Sequence, residues 1–183
     1  MAVSQAEPAL VTARLELWRP AAGDLPEMHA MNTHPATRLH SSRPEGMDGQ
    51  FQRLARNAGS WFLYGYGAFI LRLRGAPEVA GTCGVFHSWR GLGEDFDDRP
   101  EMGWTVRHDL TGQGLATEAA QAALAWFERE HGSREIVCMI SPGNEPSLRL
   151  SARLGFKPLR EAVLPDGDEV RLFSRPAGSA LSA

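Results

Sequence analysis

A pair of glycines at the start of a helix is the feature of this sequence best suited to bind a ligand. The stretch "TVRHDLTGQGLATEAAQAAL" spans residues 105–124 and passes through Gly112 and Gly114 into an uninterrupted helix-forming run. A helix N-terminus presents unpaired backbone N–H groups and a partial positive charge of about half an electron. Glycines before it allow close approach of a bulky anion, so the turn suits a phosphate or pyrophosphate. An isolated G-x-G pattern, however, is more often a plain turn between a strand and a helix.

Two widespread phosphate-binding loops do not match this turn. A Walker loop requires a lysine directly after its last glycine, and this stretch contains no lysine. The dinucleotide pattern G-x-G-x-x-G/A fails at Thr117, and it belongs after the first strand of a parallel sheet. Neither loop therefore explains the glycines.

Apolar periodicity predicts the elements that position the turn. Alternating or continuous apolar runs predict seven strands, over residues 13–19, 67–74, 79–89, 101–106, 135–140, 156–164 and 169–175. Helical spacing predicts four helices, over residues 25–33, 47–59, 115–131 and 144–155. Residues typical of helix ends are Asp24, Asp48 and Asn144 as N-terminal caps and Gly59, Gly132 and Gly155 as C-terminal stops. For Gly132 we expect the left-handed helical conformation of a C-terminal cap.

The order of these elements, β-α-α-β-β-β-α-β-α-β-β, places one βαβ crossover after an antiparallel meander. It predicts the α+β class, with a mixed α/β sheet instead of a repeating parallel one. No Pro-, Gly- or Ser-rich linker divides the chain. We therefore expect a single domain over residues 10–176, with flexible termini at residues 1–9 and 177–183.

Composition argues against several classes of function. The chain has 183 residues and a formal net charge of -3, so no basic field indicates nucleic acid or an anionic membrane as a partner. No apolar run approaches the ~20 residues of a membrane span, and the first residues lack a signal-peptide pattern. Six scattered histidines and two cysteines in apolar runs show no metal-ligand spacing. We expect a cytoplasmic protein without a metal, and both a monomer and a homodimer remain open.

A third type of phosphate loop fits the glycine turn. "TGQGLATEA" resembles the acetyl-CoA pyrophosphate loop of the GCN5-related N-acetyltransferases (GNAT), [R/Q]-x-x-G-x-[G/A], with Gly114 and Ala116 at the small-residue positions. Thr111 stands where that family usually has arginine or glutamine. "TARLELWRP", "GLATEAAQAAL" and "NEPSLRLSARLGF" are similar to segments of its ribosomal-protein-alanine N-acetyltransferase branch (RimJ/RimL-type), and the similarity covers roughly residues 12–175.

The resemblance implies a fold and a co-substrate. It implies a GNAT acyl-CoA N-acyltransferase fold, in which about four helices flank a twisted mixed sheet of six to seven strands, and acetyl-CoA as co-substrate without a metal. Pantetheine would lie in a gap between the strands "EMGWTV" and "EIVCMI", and backbone groups there would hydrogen-bond to it. The co-substrate-binding residues implied in this way are Thr105, Val106, Thr111, Gly112, Gln113, Gly114, Leu115, Ala116, Thr117, Asn144 and Arg149.

The resemblance also suggests two catalytic residues. The acceptor amine must lose a proton, because a free amine is mostly protonated near neutral pH. Glu101, at the start of "EMGWTV", is the candidate base, although a strand-edge glutamate is nearly as often only structural. Ser147 is the candidate donor to the departing thiolate, and as a capping residue it is explained equally well. Arg149 either contacts the 3′-phosphate of CoA or lies on a solvated helix face without a ligand.

The function implied is an acetyl-CoA-dependent N-acetyltransferase that acts by direct attack of a primary amine. The acceptor is a protein N-terminus or a small-molecule amine, and residues 20–65 are expected to form one wall of its groove. No positioned Cys–His pair favours an acyl-enzyme. Two alternatives remain, namely a non-catalytic acyl-CoA-binding sensor and an enzyme that binds the phosphates of a nucleotide.

Overall fold

The computed structural model describes residues 7–37 and 46–179. Its strands are β1 Leu10–Val11, β2 Leu15–Trp18, β3 Ala68–Leu73, β4 Val79–Ser88, β5 Arg99–Val106, β6 Ile136–Ile140, β7 Lys157–Val163 and β8 Glu169–Arg175. Its α-helices are α1 Leu25–Thr33, α2 Met47–Tyr64, α3 Leu115–His131 and α4 Glu145–Arg153. Two short 3-10 turns, Ala22–Asp24 and His108–Leu110, precede α1 and the glycine turn.

The strands form one sheet in the order β1-β2-β3-β4-β5-β6-β8-β7. All neighbours are antiparallel except β5 and β6, which are parallel and are joined by α3. The predicted mixed sheet with four helices is therefore confirmed. The strand count was one too low, because β1 has only two residues and carries no readable alternation.

The ends of the chain lie partly outside the described residues, which exclude 1–6 and 180–183. The described parts of the expected flexible termini make hydrogen bonds. The N–H of Ala9 donates to Leu17 O at 2.9 Å, and the N–H of Gly178 donates to Ser133 Oγ at 2.6 Å. Ala9 and Gly178 therefore each contact the domain, and the flexibility of the two termini stays a prediction.

Helix α2 is longer than its sequence suggested. It continues through Gly59 to Tyr64 and ends at Gly65, whose φ of 79° is in the left-handed region. A glycine inside a helix costs only about 1 kcal/mol, so Gly59 does not end a helix whose next turn packs Trp61 against the core. Gly46 is the N-terminal cap, and Asp48 lies inside the first turn.

Two further end signals act differently from the prediction. Asp24 precedes α1, but its carboxylate accepts from the N–H of Ala21 at 2.7 Å and binds Arg72 Nη2 at 2.5 Å instead of capping the helix. Gly132 ends α3 with φ 76° and ψ 166°, which is a positive-φ stop but not the left-handed helical cap expected. The caps Asn144 and Gly155 of α4 are as predicted.

Helix α3 packs its small residues against the sheet. Ala119, Ala120 and Ala123 are buried, and their short side chains allow the helix to lie close to the strands. Leu124 and Phe127 on the same helix are fully buried, and each such side chain contributes about 1.5–3 kcal/mol of hydrophobic free energy. The predicted bounds of α3, residues 115–131, are confirmed. Among the described helices, none has the length and hydropathy to cross a membrane.

Replacing Arg175 with alanine is expected to destabilise the domain by about 3 kcal/mol, since it removes one member of a largely buried charge network. Arg175 is 0% exposed, and it donates to Leu154 O at 2.8 Å, Glu128 Oε1 at 2.6 Å and Ser179 O. Urea unfolding followed by circular dichroism measures the loss. Arg129→Ala, at an exposed pair with Glu130, should change stability by less than about 0.5 kcal/mol. A similarly small change for Arg175→Ala would show that this charge network does not stabilise the domain.

Candidate active site

The parallel strands β5 and β6 separate after a single pairing. Glu101 and Val137 are the residues paired in register, whereas β5 continues to Val106 and β6 to Ile140. Beyond that pair, no ladder joins the two strands in the part of the chain that the structure describes. The gap expected between these strands is therefore present.

Backbone groups of β5 line this gap. The N–H of Arg107 donates to Ala80 O on β4 at 2.9 Å. Backbone N–H and C=O groups alternate in direction along a strand, so Thr105 faces β4 as well, while Trp104 and Val106 face the gap. Val106 thus lies where the sequence placed a backbone contact to pantetheine. The backbone of Thr105 faces β4 instead, and a contact of either residue to pantetheine stays a prediction.

The glycine turn has the backbone conformation that its sequence suggests. Gly112 and Gly114 have φ values of 74° and 78°, a region that residues with a Cβ rarely adopt. Thr111 Oγ1 donates to His108 O at 2.8 Å, and the side-chain amide of Gln113 donates to Asp109 O at 3.3 Å. These two side chains therefore bind to the preceding 3-10 turn and stabilise the glycine turn. A ligand would meet the backbone of the turn.

Six successive backbone N–H groups of this turn, those of residues 112–117, donate to no acceptor within residues 7–37 or 46–179. The N–H of Glu118 is the first one engaged, with Gly114 O at 3.1 Å. Leu115 is buried in the core and Ala116 packs against it, so these positions offer only their backbone. A run of free N–H groups at a helix N-terminus is an anion-binding concavity.

A hydrogen-bond network ties the segment before β2 to this turn. Thr12 Oγ1 donates to Glu118 Oε1 at 2.6 Å. Arg14 donates from its backbone N–H to Oε1 of Glu118 at 2.9 Å and from Nε to Oε2 at 2.7 Å. Nη1 of Arg14 donates to Gln113 O at 2.7 Å. The first turn of α3 is thereby fixed to a segment about a hundred residues earlier in the chain.

The contribution of Glu118 to stability is expected to vanish at acidic pH. Desolvation raises the pKa of Glu118, but the hydrogen bonds from Thr12 and Arg14 outweigh it, and the pKa lies below its ordinary value. A lowered pKa in the folded state means that the carboxylate stabilises the fold at neutral pH and stops doing so as protonation begins. The difference in unfolding free energy between the native chain and Glu118→Gln should therefore shrink between about pH 6 and about pH 3. If the difference in unfolding free energy did not change with pH, the prediction for Glu118 would be wrong.

Glu101 lies at the apex of the gap and is 3% exposed. Its carboxylate accepts from Arg90 Nε at 2.9 Å, from Arg90 Nη2 at 2.8 Å and from the hydroxyl of Ser88. A buried carboxylate needs such partners, because an unpaired one would be strongly disfavoured away from water. The candidate base thus lies at the pair where β5 and β6 part, and a fork of arginine donors already engages it.

The start of α4 contacts β5, one of the two strands that border the gap. Asn144 Oδ1 accepts from the N–H of Ser147 at 3.2 Å, which is the N-terminal cap predicted from the sequence. Ser147 Oγ in turn accepts from the indole Nε1 of Trp104 at 3.2 Å. Because this contact uses only the oxygen of Ser147, its hydroxyl proton remains available as a donor. The structure therefore brings the candidate acid Ser147 to the strand that carries Glu101.

Arg149 and the expected acceptor wall are the remaining predicted features of the site. Arg149 is exposed on α4 and has no hydrogen bond or ion pair with any described residue. Within the expected acceptor wall, residues 20–65, the segment 38–45 lies outside the described residues. Over the ranges that the structure describes, no cluster of His, Cys, Asp and Glu side chains has the arrangement of a metal site.

The sequence model of the acetyltransferase (GNAT) domain family matches residues 14–157, which is most of the chain. This chain belongs to the GNAT acetyltransferase family. A solved structure from Bordetella pertussis, described as a putative GnaT-family acetyltransferase, is 34% identical, covers 91% of this chain and 98% of its own, and has a TM-score of 0.80.

More distant relatives agree with the family or the fold. An uncharacterised N-acetyltransferase, p20 of Bacillus licheniformis, is 26% identical over 103 residues, which are 56% of this chain and 54% of p20. The chain spans about half the length of the curated relatives it matches. RimL, a ribosomal L7/L12 alpha-N-protein acetyltransferase solved in complex with coenzyme A, is 17% identical, covers 95% of this chain and 100% of its own, and has a TM-score of 0.71. At that identity the likeness shows the fold alone.

Three residues of the site in this GNAT domain were missed by reasoning from sequence. Trp104 lines the gap, Arg90 pairs with the candidate base, and Arg14 contacts the glycine turn. A signal existed for two of them, because Arg14 lies in "TARLELWRP", which carried the family resemblance, and Trp104 lies in "EMGWTV", the strand that the resemblance placed beside the gap. Arg90 stands in an unpatterned loop, and only the folded chain brings it to Glu101.

Proposed function

We propose that this GNAT domain transfers the acetyl group of acetyl-CoA to a primary amine by direct attack. The observation that carries the proposal is the run of six free N–H groups at residues 112–117, next to the gap between β5 and β6. The first feature suits the pyrophosphate of CoA, and the second provides space for pantetheine to hydrogen-bond to β5 like an added strand. A nucleotide without a pantetheine arm would bind at the N–H groups and would leave the gap between β5 and β6 without a role. The gap therefore favours CoA over a nucleotide.

The reaction follows from these positions. The amine nitrogen attacks the thioester carbonyl carbon, a C–N bond forms, and the C–S bond breaks to release CoA as a thiolate. The N–H groups of Trp104 or Val106 face the gap and would stabilise the negative charge that develops on the carbonyl oxygen. Ser147 would donate a hydrogen bond to the departing sulfur, and the thiolate finally takes a proton.

Glu101 is the proposed acceptor of the amine proton. Its carboxylate lies at the pair where β5 and β6 part, close to the position expected for the thioester. Because Arg90 and Ser88 already occupy the carboxylate, the proton would reach it through the Ser88 hydroxyl or a water molecule. The role of Arg90 in this scheme is to hold the carboxylate in place.

Direct attack is preferred to a route through an acyl-enzyme. Cys83 and Cys138 are both buried and unpaired, and burial raises the pKa of the Cys83 thiol to about 12. A thiol that is neither accessible nor ionised is a poor nucleophile. Two unpaired buried thiols also fit a reducing compartment such as the cytoplasm, where we propose that the protein acts.

The experiment that tests the function is a thiol-release assay with acetyl-CoA and a panel of peptides with free N-termini and small amines. Release of CoA that depends on one acceptor, with the acetylated amine found by mass spectrometry, would support the proposal. Tight CoA binding without turnover across the panel would instead support an acyl-CoA sensor. Tighter binding of ATP or NAD than of CoA in calorimetry would support an enzyme that binds nucleotide phosphates.

A further inference from the structure

We propose that Arg14, from outside the phosphate loop, supplies the cationic donor that the loop lacks at Thr111. The inference rests on the proposed function, since it assigns a contact to the pyrophosphate of CoA. The loop of residues 111–117 contains no lysine or arginine of its own. Its binding site is otherwise built of backbone N–H groups, and a doubly charged pyrophosphate is held more firmly when a charged donor is added.

Arg14 is oriented toward this loop by contacts that leave one nitrogen unused. Its Nε donates to Glu118 Oε2 at 2.7 Å and its Nη1 to Gln113 O at 2.7 Å. Nη2 has no hydrogen-bond partner in residues 7–37 and 46–179. An arginine guanidinium is a rigid planar fork, so two fixed nitrogens determine where the third one points.

The unused nitrogen lies against the open part of the turn. Nη2 of Arg14 is 3.5 Å from the place where a Cβ on Gly114 would be. Gly114 is in the middle of the six free N–H groups, so an anion held by them would come within reach of Nη2. The Arg14 side chain is 48% exposed, so a ligand from solvent can reach it.

The nearest other arginine along the chain is already committed. Arg107 donates from Nε to Asp109 Oδ1 at 2.7 Å and from Nη2 to Asp109 Oδ2 at 3.0 Å, and this pair raises the pKa of Arg107. Its guanidinium also donates to Val79 O, away from the turn. Arg14 pairs with the carboxylate of Glu118, but Glu118 is itself used by Thr12 and the backbone of Arg14. The Glu118 carboxylate therefore fixes the orientation of the Arg14 guanidinium.

The test compares Arg14→Gln, Arg14→Lys and the native chain by calorimetric titration with three ligands. CoA and 3′-dephospho-CoA both carry the pyrophosphate, while S-acetylpantetheine lacks it. Arg14→Gln should weaken CoA and 3′-dephospho-CoA by the same factor of about 10, the size of one charged hydrogen bond at an exposed site. S-acetylpantetheine should be unaffected. Arg14→Lys should recover part of the loss, and the matched control Arg129→Gln, at the far end of α3, should bind all three ligands normally.

A purely structural role for Arg14 gives a different pattern. If the residue only braces the turn, lysine should be no better than glutamine. A direct contact instead predicts that the difference between the native chain and Arg14→Gln shrinks between about 0.05 M and about 0.5 M NaCl, because salt screens an exposed charge. Unchanged CoA affinity in Arg14→Gln, no recovery in Arg14→Lys, or a loss shared with S-acetylpantetheine would overturn the inference. A native chain that binds no CoA at all would overturn the proposed function instead.

Discussion

Replacing Gly114 with aspartate is expected to weaken CoA binding at least about 100-fold, or about 2.7 kcal/mol. The new carboxylate would stand among the free N–H groups of residues 112–117, where it would repel the pyrophosphate and occupy its place. The φ of 78° at Gly114 adds strain of about 1–2 kcal/mol for a residue with a Cβ. Calorimetric titration of CoA measures the loss, and circular dichroism shows whether the fold survives.

Gly75→Asp is the matched control for this variant. Gly75 has a φ of 74° in the turn between β3 and β4, and an added Cβ there meets no atom within 4 Å. The same strain and the same new charge are therefore introduced away from the phosphate loop. CoA should bind to Gly75→Asp as it does to the native chain. If Gly114→Asp also bound CoA normally, the assignment of residues 111–117 to the pyrophosphate would be wrong.

Replacing Glu101 with glutamine is expected to lower kcat by about 100-fold to about 10,000-fold, the usual effect of losing a general base. Glutamine has the same shape as glutamate but cannot take the proton of the amine. The Kd for CoA should stay close to that of the native chain, because Glu101 lies beyond the pyrophosphate loop. Steady-state thiol release with the best acceptor of the panel measures the change.

Arg90 complicates this experiment, since Glu101→Gln leaves its guanidinium, 24% exposed in the side chain, without a counter-charge. A loss of activity would then reflect a disturbed fold as well as a missing base. The double variant Glu101→Gln, Arg90→Gln removes both charges together, and Arg90→Gln alone keeps the carboxylate. We expect the double variant to be as inactive as Glu101→Gln and Arg90→Gln to retain measurable turnover. Normal turnover by the double variant would exclude Glu101 as the base.

The sequence predicted the helices of the site and one of their caps. Helix α3 was predicted with its observed bounds, because its alanines and large apolar residues repeat at helical spacing between Gly114 and Gly132. The cap of α4 by Asn144 was predicted for the same reason, since a cap is a contact between residues three positions apart. Local rules failed at Gly59, where packing of Trp61 outweighs the helix propensity of one glycine.

The sequence did not predict which distant residues meet in the site. Glu101 meets Arg90 and Ser88, Trp104 meets Ser147, and Arg14 meets Glu118, and no periodicity or spacing links these partners. Hydrogen bonds and ion pairs between distant residues depend on the register of the strands and on the place where β5 and β6 part. Local conformational preferences act over a few residues and specify the elements, whereas the packing of those elements selects which side chains meet at the gap.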